Sequence, residues 1–101
     1  MKIKEFYTDE SKWSQECFGR TSQGKEVDEI DGIMNLKFSE IKSLCPFAAI
    51  CRFYPNPDDR VKVENDVKTI LRIGDRTISE WNSKKERTFE EIKILFNYLN
   101  V

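Results

Sequence analysis

The clearest structural signal in this chain is the segment Thr88-Phe89-Glu90-Glu91-Ile92-Lys93-Ile94-Leu95-Phe96-Asn97-Tyr98-Leu99. It opens with a capping box, in which the Thr88 hydroxyl accepts from the Glu91 amide and the Glu91 carboxylate accepts from the Thr88 amide. Large apolar side chains then recur at helical spacing and form one stripe, which consists of Phe89, Ile92, Leu95, Phe96 and Leu99. The pattern predicts an amphipathic helix over residues 89–100 that packs against the rest of the chain.

Capping signals and turns also precede this helix. Residues 55–58, Pro-Asn-Pro-Asp, predict a turn, because proline fixes φ and lacks an amide donor. Amphipathic spacing over residues 59–73 predicts a helix with Gly74 as its C-terminal cap, and the alternation over 61–63 leaves a short strand open instead. Residues 77–82 repeat the Thr-x-x-Glu spacing and predict a short helical turn, followed by a polar loop over 83–87.

Apolar residues are more scattered in the first part of the chain. Thr8 or Asp9 can cap a helix that contains Trp13, Cys17 and Phe18 and ends at residue 19. Residues 19–32 are polar and rich in turn formers, so they predict a long mobile loop.

The next segment leaves two alternatives open at a proline. Ser39 can begin a helix that runs through Ile41 and Leu44. Pro46 then either kinks this helix or begins a new one at its first position. Residues 33–36 are a candidate short strand.

Together these elements predict a mainly α fold. Its 101 residues leave room for a single compact domain over 1–101 with one core, to which seven Phe, three Tyr and two Trp can contribute. We expect a bundle of four to five helices, with one or two short strands left open.

Charge and composition exclude several functions. The 17 basic and 18 acidic residues give a net charge of -1, which lacks the positive field that phosphate contacts need, so a nucleic-acid partner is not expected. The chain has no histidine, which excludes imidazole bases and ligands. Acidic residues at 28–31 and 58–59 lack the ligand spacing of a calcium loop, so we expect neither a metal nor a cofactor. A Ser-Lys mechanism stays open, but a non-catalytic role is favoured.

Cysteine usage indicates a reducing compartment. The chain has three cysteines, Cys17, Cys45 and Cys51, and none of them forms a CxxC motif. A disulfide framework normally has an even number of cysteines, so we interpret all three as small buried apolar side chains. No apolar signal region follows Met1, and the longest apolar run, over 45–51, is too short for a membrane span. We therefore expect a cytoplasmic protein without membrane attachment.

Trp81, Asn82, Arg87 and Thr88 form the candidate binding site. Trp81 offers a flat apolar wall, Asn82 can donate and accept, and Arg87 presents a fork that suits carboxylate or phosphate. In the structural interpretation, Trp81 anchors the loop, Asn82 satisfies backbone groups and Thr88 caps the last helix. The nearby cations Arg20, Lys84 and Lys85 could join Arg87 in a small basic patch, although a solvated face is the preferred interpretation.

Three stretches have an order and spacing that match a known family. They are residues 13–27, residues 44–50, which read Leu-Cys-Pro-Phe-Ala-Ala-Ile, and residues 78–92 with Trp81-Asn82 and Arg87-Thr88. Over residues 12–99 the chain resembles a family of small uncharacterised proteins of bacteria and their phages. That family has Cys-x-x-Gly-Ala in the middle and Trp-Asn-Asp…Arg-Thr before its last helix; Ala48 and Ser83 depart from these motifs. The resemblance implies a compact helical fold and a phage or mobile-element origin, and no particular reaction.

Two functions follow as hypotheses. The first is a small non-catalytic interaction protein with an unidentified protein partner, since a chain of this size can offer the roughly 800 Å² per partner of a standard interface. The alternative is a binder of a small anionic molecule, or a minor enzyme, that uses the corner between Trp81 and Arg87.

Overall fold

A computed structural model describes all residues from Met1 to Val101. Helices hold 53% of the residues, and three short strands form one antiparallel sheet. The fold is therefore mixed α/β and mainly helical: the predicted mainly helical character is confirmed, and the three-stranded sheet replaces the predicted helical bundle with one or two optional strands. In chain order the elements are α1 (Ile3–Phe6), β1 (Gly19–Thr21), β2 (Glu26–Val27), α2 (Ile30–Met34), β3 (Ile41–Leu44), α3 (Pro46–Phe53), α4 (Pro57–Leu71), α5 (Ile78–Asn82) and α6 (Phe89–Leu99).

The last helix confirms the prediction from its capping box and stripe. The Thr88 amide donates to Glu91 Oε1 at 3.1 Å, and the Glu91 amide donates to Thr88 Oγ1 at 3.4 Å. Three members of the stripe are buried and Leu99 is half-buried; the buried ones are Ile92, Leu95 and Phe96. α6 therefore forms one wall of the core.

Of the two preceding helices, α4 forms over most of the residues that its apolar spacing predicts, and α5 forms where its cap predicts it. α4 begins at Pro57, because the Asn56 side chain accepts from the Asp58 and Asp59 amides. It ends at Arg72, which adopts the left-handed conformation with φ 56°, so Arg72 and not Gly74 is the C-cap. α5 starts where the Thr77 hydroxyl accepts from the Glu80 amide at 3.0 Å. The region 61–63 is helical, which removes the strand alternative.

The predicted helix around Trp13 and Cys17 is wrong. The chain instead forms α1 and a 3-10 turn over Glu10–Lys12 and then runs extended into β1. The predicted loop over 19–32 holds β1, β2 and the start of α2. Gly19 explains the close pairing, because a Cβ on it would lie 2.6 Å from the Ser43 carbonyl oxygen and 2.8 Å from Ile33 Cδ1. Only glycine lets β1 approach its neighbours this closely.

The assignments on either side of residue 40 are also corrected. Residues 33–36 end α2 and form a turn, and Ile41 to Leu44 form a strand where a helix was predicted. In β3, Ile41 and Ser43 are buried and Lys42 is exposed, as on the two faces of a strand, and Leu44 at the strand end is buried as well. Of the two alternatives at Pro46, the second is correct: Pro46 occupies the first turn of α3, which Cys45 caps.

The sheet has the order β2-β1-β3, with Gly19 paired to both Val27 and Leu44. The segment before β1 is also hydrogen-bonded to β3, since the Ser14 amide donates to the Leu44 carbonyl at 3.1 Å. The Tyr7 hydroxyl donates to the same carbonyl at 2.8 Å, and burial raises the pKa of Tyr7 well above its usual range. These contacts join the sheet and the helices in one cluster of 17 buried side chains. None of the helices combines the length and apolarity that crossing a membrane requires.

Candidate functional site

An open cleft of about 600 Å³ lies where the end of α4, the helix α5 and the loop before α6 meet. This volume falls within the roughly 300–1,000 Å³ of typical ligand pockets. We call it the corner cleft. Its lining consists of Leu71, Ile73, Arg76, Ser79, Glu80, Trp81, Ser83, Lys84 and Arg87.

Arg87 is held rigidly in the corner cleft. Its guanidinium carbon lies 3.9 Å from the centre of the Trp81 ring, which is a cation–π contact. Its Nε donates to the Trp81 carbonyl at 3.0 Å, and its Nη1 donates to Glu91 Oε2 at 2.6 Å. Nη2 has no protein partner and is not enclosed, so it can donate to a bound group. The side chain is only 14% exposed, so few rotamers remain to be lost on binding.

Glu91 keeps Arg87 in place through its charge. Burial acts to raise the pKa of Glu91, but the hydrogen bonds from Arg87 and from the Thr88 amide outweigh it and lower that pKa below its usual value. The carboxylate is therefore ionised at neutral pH. One acidic side chain thus both caps α6 and orients the guanidinium.

Asn82 lies behind the cleft and does not line it. Its side chain is 1% exposed. Oδ1 accepts from Trp13 Nε1 at 2.8 Å, and Nδ2 donates to the Ser14 carbonyl at 3.0 Å and more weakly to the Gln15 carbonyl at 3.5 Å. The amide is therefore occupied by the protein itself, and it ties α5 to the segment 13–15.

Thr88 is exposed and caps α6, and it too lies outside the lining of the corner cleft. Of the four residues that the sequence singled out, the structure brings Trp81 and Arg87 to the cleft. Asn82 and Thr88 hold α5 and α6 in the positions that form it.

Two further cations, Arg76 and Lys84, line the corner cleft together with Trp81 and Arg87. Lys84 follows α5, and Arg76 lies in the loop after α4, where its Nε donates to the Ile73 carbonyl at 3.4 Å. Arg20 lies elsewhere, paired with Glu26 in the sheet at 3.1 Å, and Lys85 does not line the cleft. Sequence reasoning missed Arg76, because no local pattern links it to Trp81.

A smaller cavity of about 210 Å³ also borders α5 and is lined by both Cys17 and Cys45. Burial raises the pKa of the Cys45 thiol to about 11, so it is protonated at neutral pH. Because the thiolate is the nucleophilic form, Cys45 is not an activated nucleophile.

No family model, curated protein or solved structure matches this chain. The resemblance to small bacterial and phage proteins therefore stays a prediction.

Proposed function

We propose that this protein is a small non-catalytic interaction protein that binds a protein partner through the corner cleft. The observation that carries the proposal is the Trp81–Arg87 pair, which faces the cleft together with Arg76 and Lys84. Tryptophan and arginine are enriched among the residues that dominate binding energy at protein interfaces. Because Arg87 is already fixed by Glu91, little conformational entropy remains to be lost when the partner binds.

The chemistry of the cleft supports a role without catalysis. Its hydroxyl groups belong to Ser79 and Ser83. The Ser83 hydroxyl donates to the Ser79 carbonyl at 2.9 Å and not to a base. A serine nucleophile needs a neighbouring base to take its proton, and neither Ser79 nor Ser83 has a side chain bonded to it for this purpose.

Affinity purification from the native host with charge-reversed variants tests the proposal. Lys84→Glu places a carboxylate in the cleft, whereas Lys85→Glu makes the same charge change one residue away, outside the lining. We expect wild type and Lys85→Glu to capture the same stoichiometric partner and Lys84→Glu to lose it. Capture of that partner by all three proteins would refute a role for the corner cleft.

A small anionic ligand is the second candidate, and the cleft volume together with the free Nη2 of Arg87 favours it. A ligand at one hundred times its Kd stabilises a folded protein by about 2.7 kcal/mol. In a thermal-shift screen of nucleotides and metabolic acids, we expect a hit to raise the melting temperature of wild type but not of Arg87→Ala. Equal shifts in both proteins would exclude this site.

We also propose a cytoplasmic location and a phage or mobile-element origin. The three cysteines, all of which are free, support the first, and the family resemblance supports the second. Fractionation of the native host tests the location: recovery outside the cytoplasm would refute it.

A further inference from the structure

A second basic cleft lies beside the corner cleft, at the C-terminal end of α4. It measures about 430 Å³, and we call it the terminal cleft. Its lining is entirely polar or glycine and consists of Asn65, Lys68, Thr69, Arg72 and Gly74. Neighbouring residues of the segment 71–74 alternate between the two: Leu71 and Ile73 line the corner cleft, and Arg72 and Gly74 line the terminal cleft.

The two clefts concentrate positive charge on a chain that is slightly acidic. Their linings hold five cations and one carboxylate, Glu80. Of these cations, only Arg87 forms an ion pair, with Glu91. The other residues of the chain hold twelve of the 17 basic and 17 of the 18 acidic side chains. The two linings, which adjoin in the segment 71–74, are therefore richer in positive charge than the rest of the chain.

Local helix electrostatics explain only part of this arrangement. The macrodipole favours cations at a helix C-terminus, which accounts for Lys68 and Arg72 on α4. Arg76, however, lies in the loop after α4, and Arg87 precedes α6, where the helix N-terminus disfavours a cation. Cations from α4 and from the loops that follow α4 and α5 thus line two adjoining clefts, an arrangement that suits an acidic ligand.

We infer that the partner presents an acidic peptide segment whose carboxylates occupy both clefts. This inference rests on the proposed function. Guanidinium groups match carboxylate geometry: in the corner cleft, Arg76 keeps both terminal nitrogens free as a fork, and Arg87 supplies a single donor, Nη2. The surface suits a nucleic acid less well, because Trp81 is the only aromatic residue of either lining and Arg87 stacks on it. Single-stranded nucleic acids bind through stacking on free aromatic faces.

Fluorescence anisotropy with a labelled hexaglutamate peptide tests the inference. Extended, this peptide spans at most about 20 Å, which is enough to reach across two adjacent clefts. Hexaglutamine and a six-nucleotide oligothymidylate serve as comparison probes. Lys84→Glu and Lys68→Glu reverse one charge in each cleft, and Lys85→Glu and Lys62→Glu are the matched exposed controls on the same loop and the same helix.

We expect hexaglutamate to bind wild type and hexaglutamine not to bind. Each cleft variant should weaken hexaglutamate binding by about fivefold, the equivalent of one exposed ion pair, and the controls should leave it unchanged. Circular dichroism and the thermal midpoint of each variant verify that it is folded.

Three outcomes would overturn the inference. If Lys68→Glu binds hexaglutamate as wild type does, the terminal cleft is not part of the site. If oligothymidylate binds more tightly than hexaglutamate and responds to the same variants, the surface recognises nucleic acid. If hexaglutamate does not bind although Lys84→Glu loses the captured partner, the proposed function stands and the acidic segment is wrong. Conversely, hexaglutamate binding at both clefts with unchanged partner capture by Lys84→Glu refutes the proposed function, and with it the captured partner as the source of the acidic segment.

Discussion

Asn82 joins two parts of the chain that lie far apart in sequence. Its amide satisfies the Trp13 indole and the Ser14 carbonyl, both of which lie behind the corner cleft. The position of Trp81, the neighbouring residue, therefore depends on these bonds. At the scale of single residues, a buried polar side chain sets the geometry of a surface that it does not itself line.

Asn82→Ala should lower the free energy of unfolding by about 1–3 kcal/mol, because it leaves buried polar groups without partners. Urea unfolding measures this loss. Asn97→Ala is the matched control, since the Asn97 side chain also donates to a backbone carbonyl, that of Lys93, but is exposed. The control should change stability by less than about 0.5 kcal/mol. Equal losses in both variants would contradict the anchoring role of Asn82.

The start of α6 combines a cap, an ion pair and one wall of the cleft in a single turn. Glu91 accepts from the Thr88 amide and from Arg87 at the same time. The local stability of this element therefore depends on the charge of Glu91.

This dependence predicts a pH effect. The pKa of Glu91 is lower in the folded protein than in the unfolded chain, so its stabilising contribution is present above the unfolded value and is lost as the pH falls through the folded value. Glu91→Gln should therefore melt below wild type at about pH 7, and the gap should narrow as the pH falls below the ordinary glutamate pKa of about 4.3. Melting curves across this range measure the difference. A constant gap would show that the charge of Glu91 does not matter.

The buried face of α6 contributes to the stability of the whole domain. Phe96 is fully buried, stacks on Tyr7 with ring centres 5.6 Å apart and belongs to the main core. Phe96→Ala should cost about 3–5 kcal/mol in denaturant unfolding. Ile94 lies on the same helix and is 60% exposed, so Ile94→Ala should cost far less. Comparable losses would mean that α6 does not pack as described.

At the scale of the whole molecule, the first and last elements meet. The Lys4 amide donates to the Val101 carbonyl at 3.0 Å, and Tyr7 packs against both Phe89 and Phe96. The sheet contacts the same region, because the Tyr7 hydroxyl bonds to β3. α6 is therefore a structural part of the core and not a detachable recognition segment.

A chain that ends at Arg87 should lose cooperative unfolding. It lacks Ile92, Leu95 and Phe96, each worth roughly 1.5–3 kcal/mol when buried, and a domain of this size has a net stability of only about 5–15 kcal/mol. Denaturant titration followed by circular dichroism measures the transition. A truncated chain with an unchanged midpoint would place α6 outside the core and make it an amphipathic recognition helix.

Local signals account for what could be predicted from the sequence. The caps at Thr77 and Thr88 lie within one turn of the amides that they satisfy, and the apolar spacing of α4 lies within one helix, so α4, α5 and α6 can be recognised without knowledge of the fold. The involvement of Trp81 and Arg87 in one corner was predictable for the same reason, since both lie in adjacent local elements.

The sheet and the complete lining of the corner cleft depend on contacts between distant residues. Gly19 pairs with Leu44, and neither segment carries a pattern long enough to reveal the partner, so β1 and β3 were predicted as a loop and a helix. Arg76 lines the same cleft as Trp81 only because the end of α4 lies beside α5. Helix caps act through hydrogen bonds within one turn, whereas strand pairing and charge convergence require that separate segments first pack on a common core, and only the tertiary structure decides that.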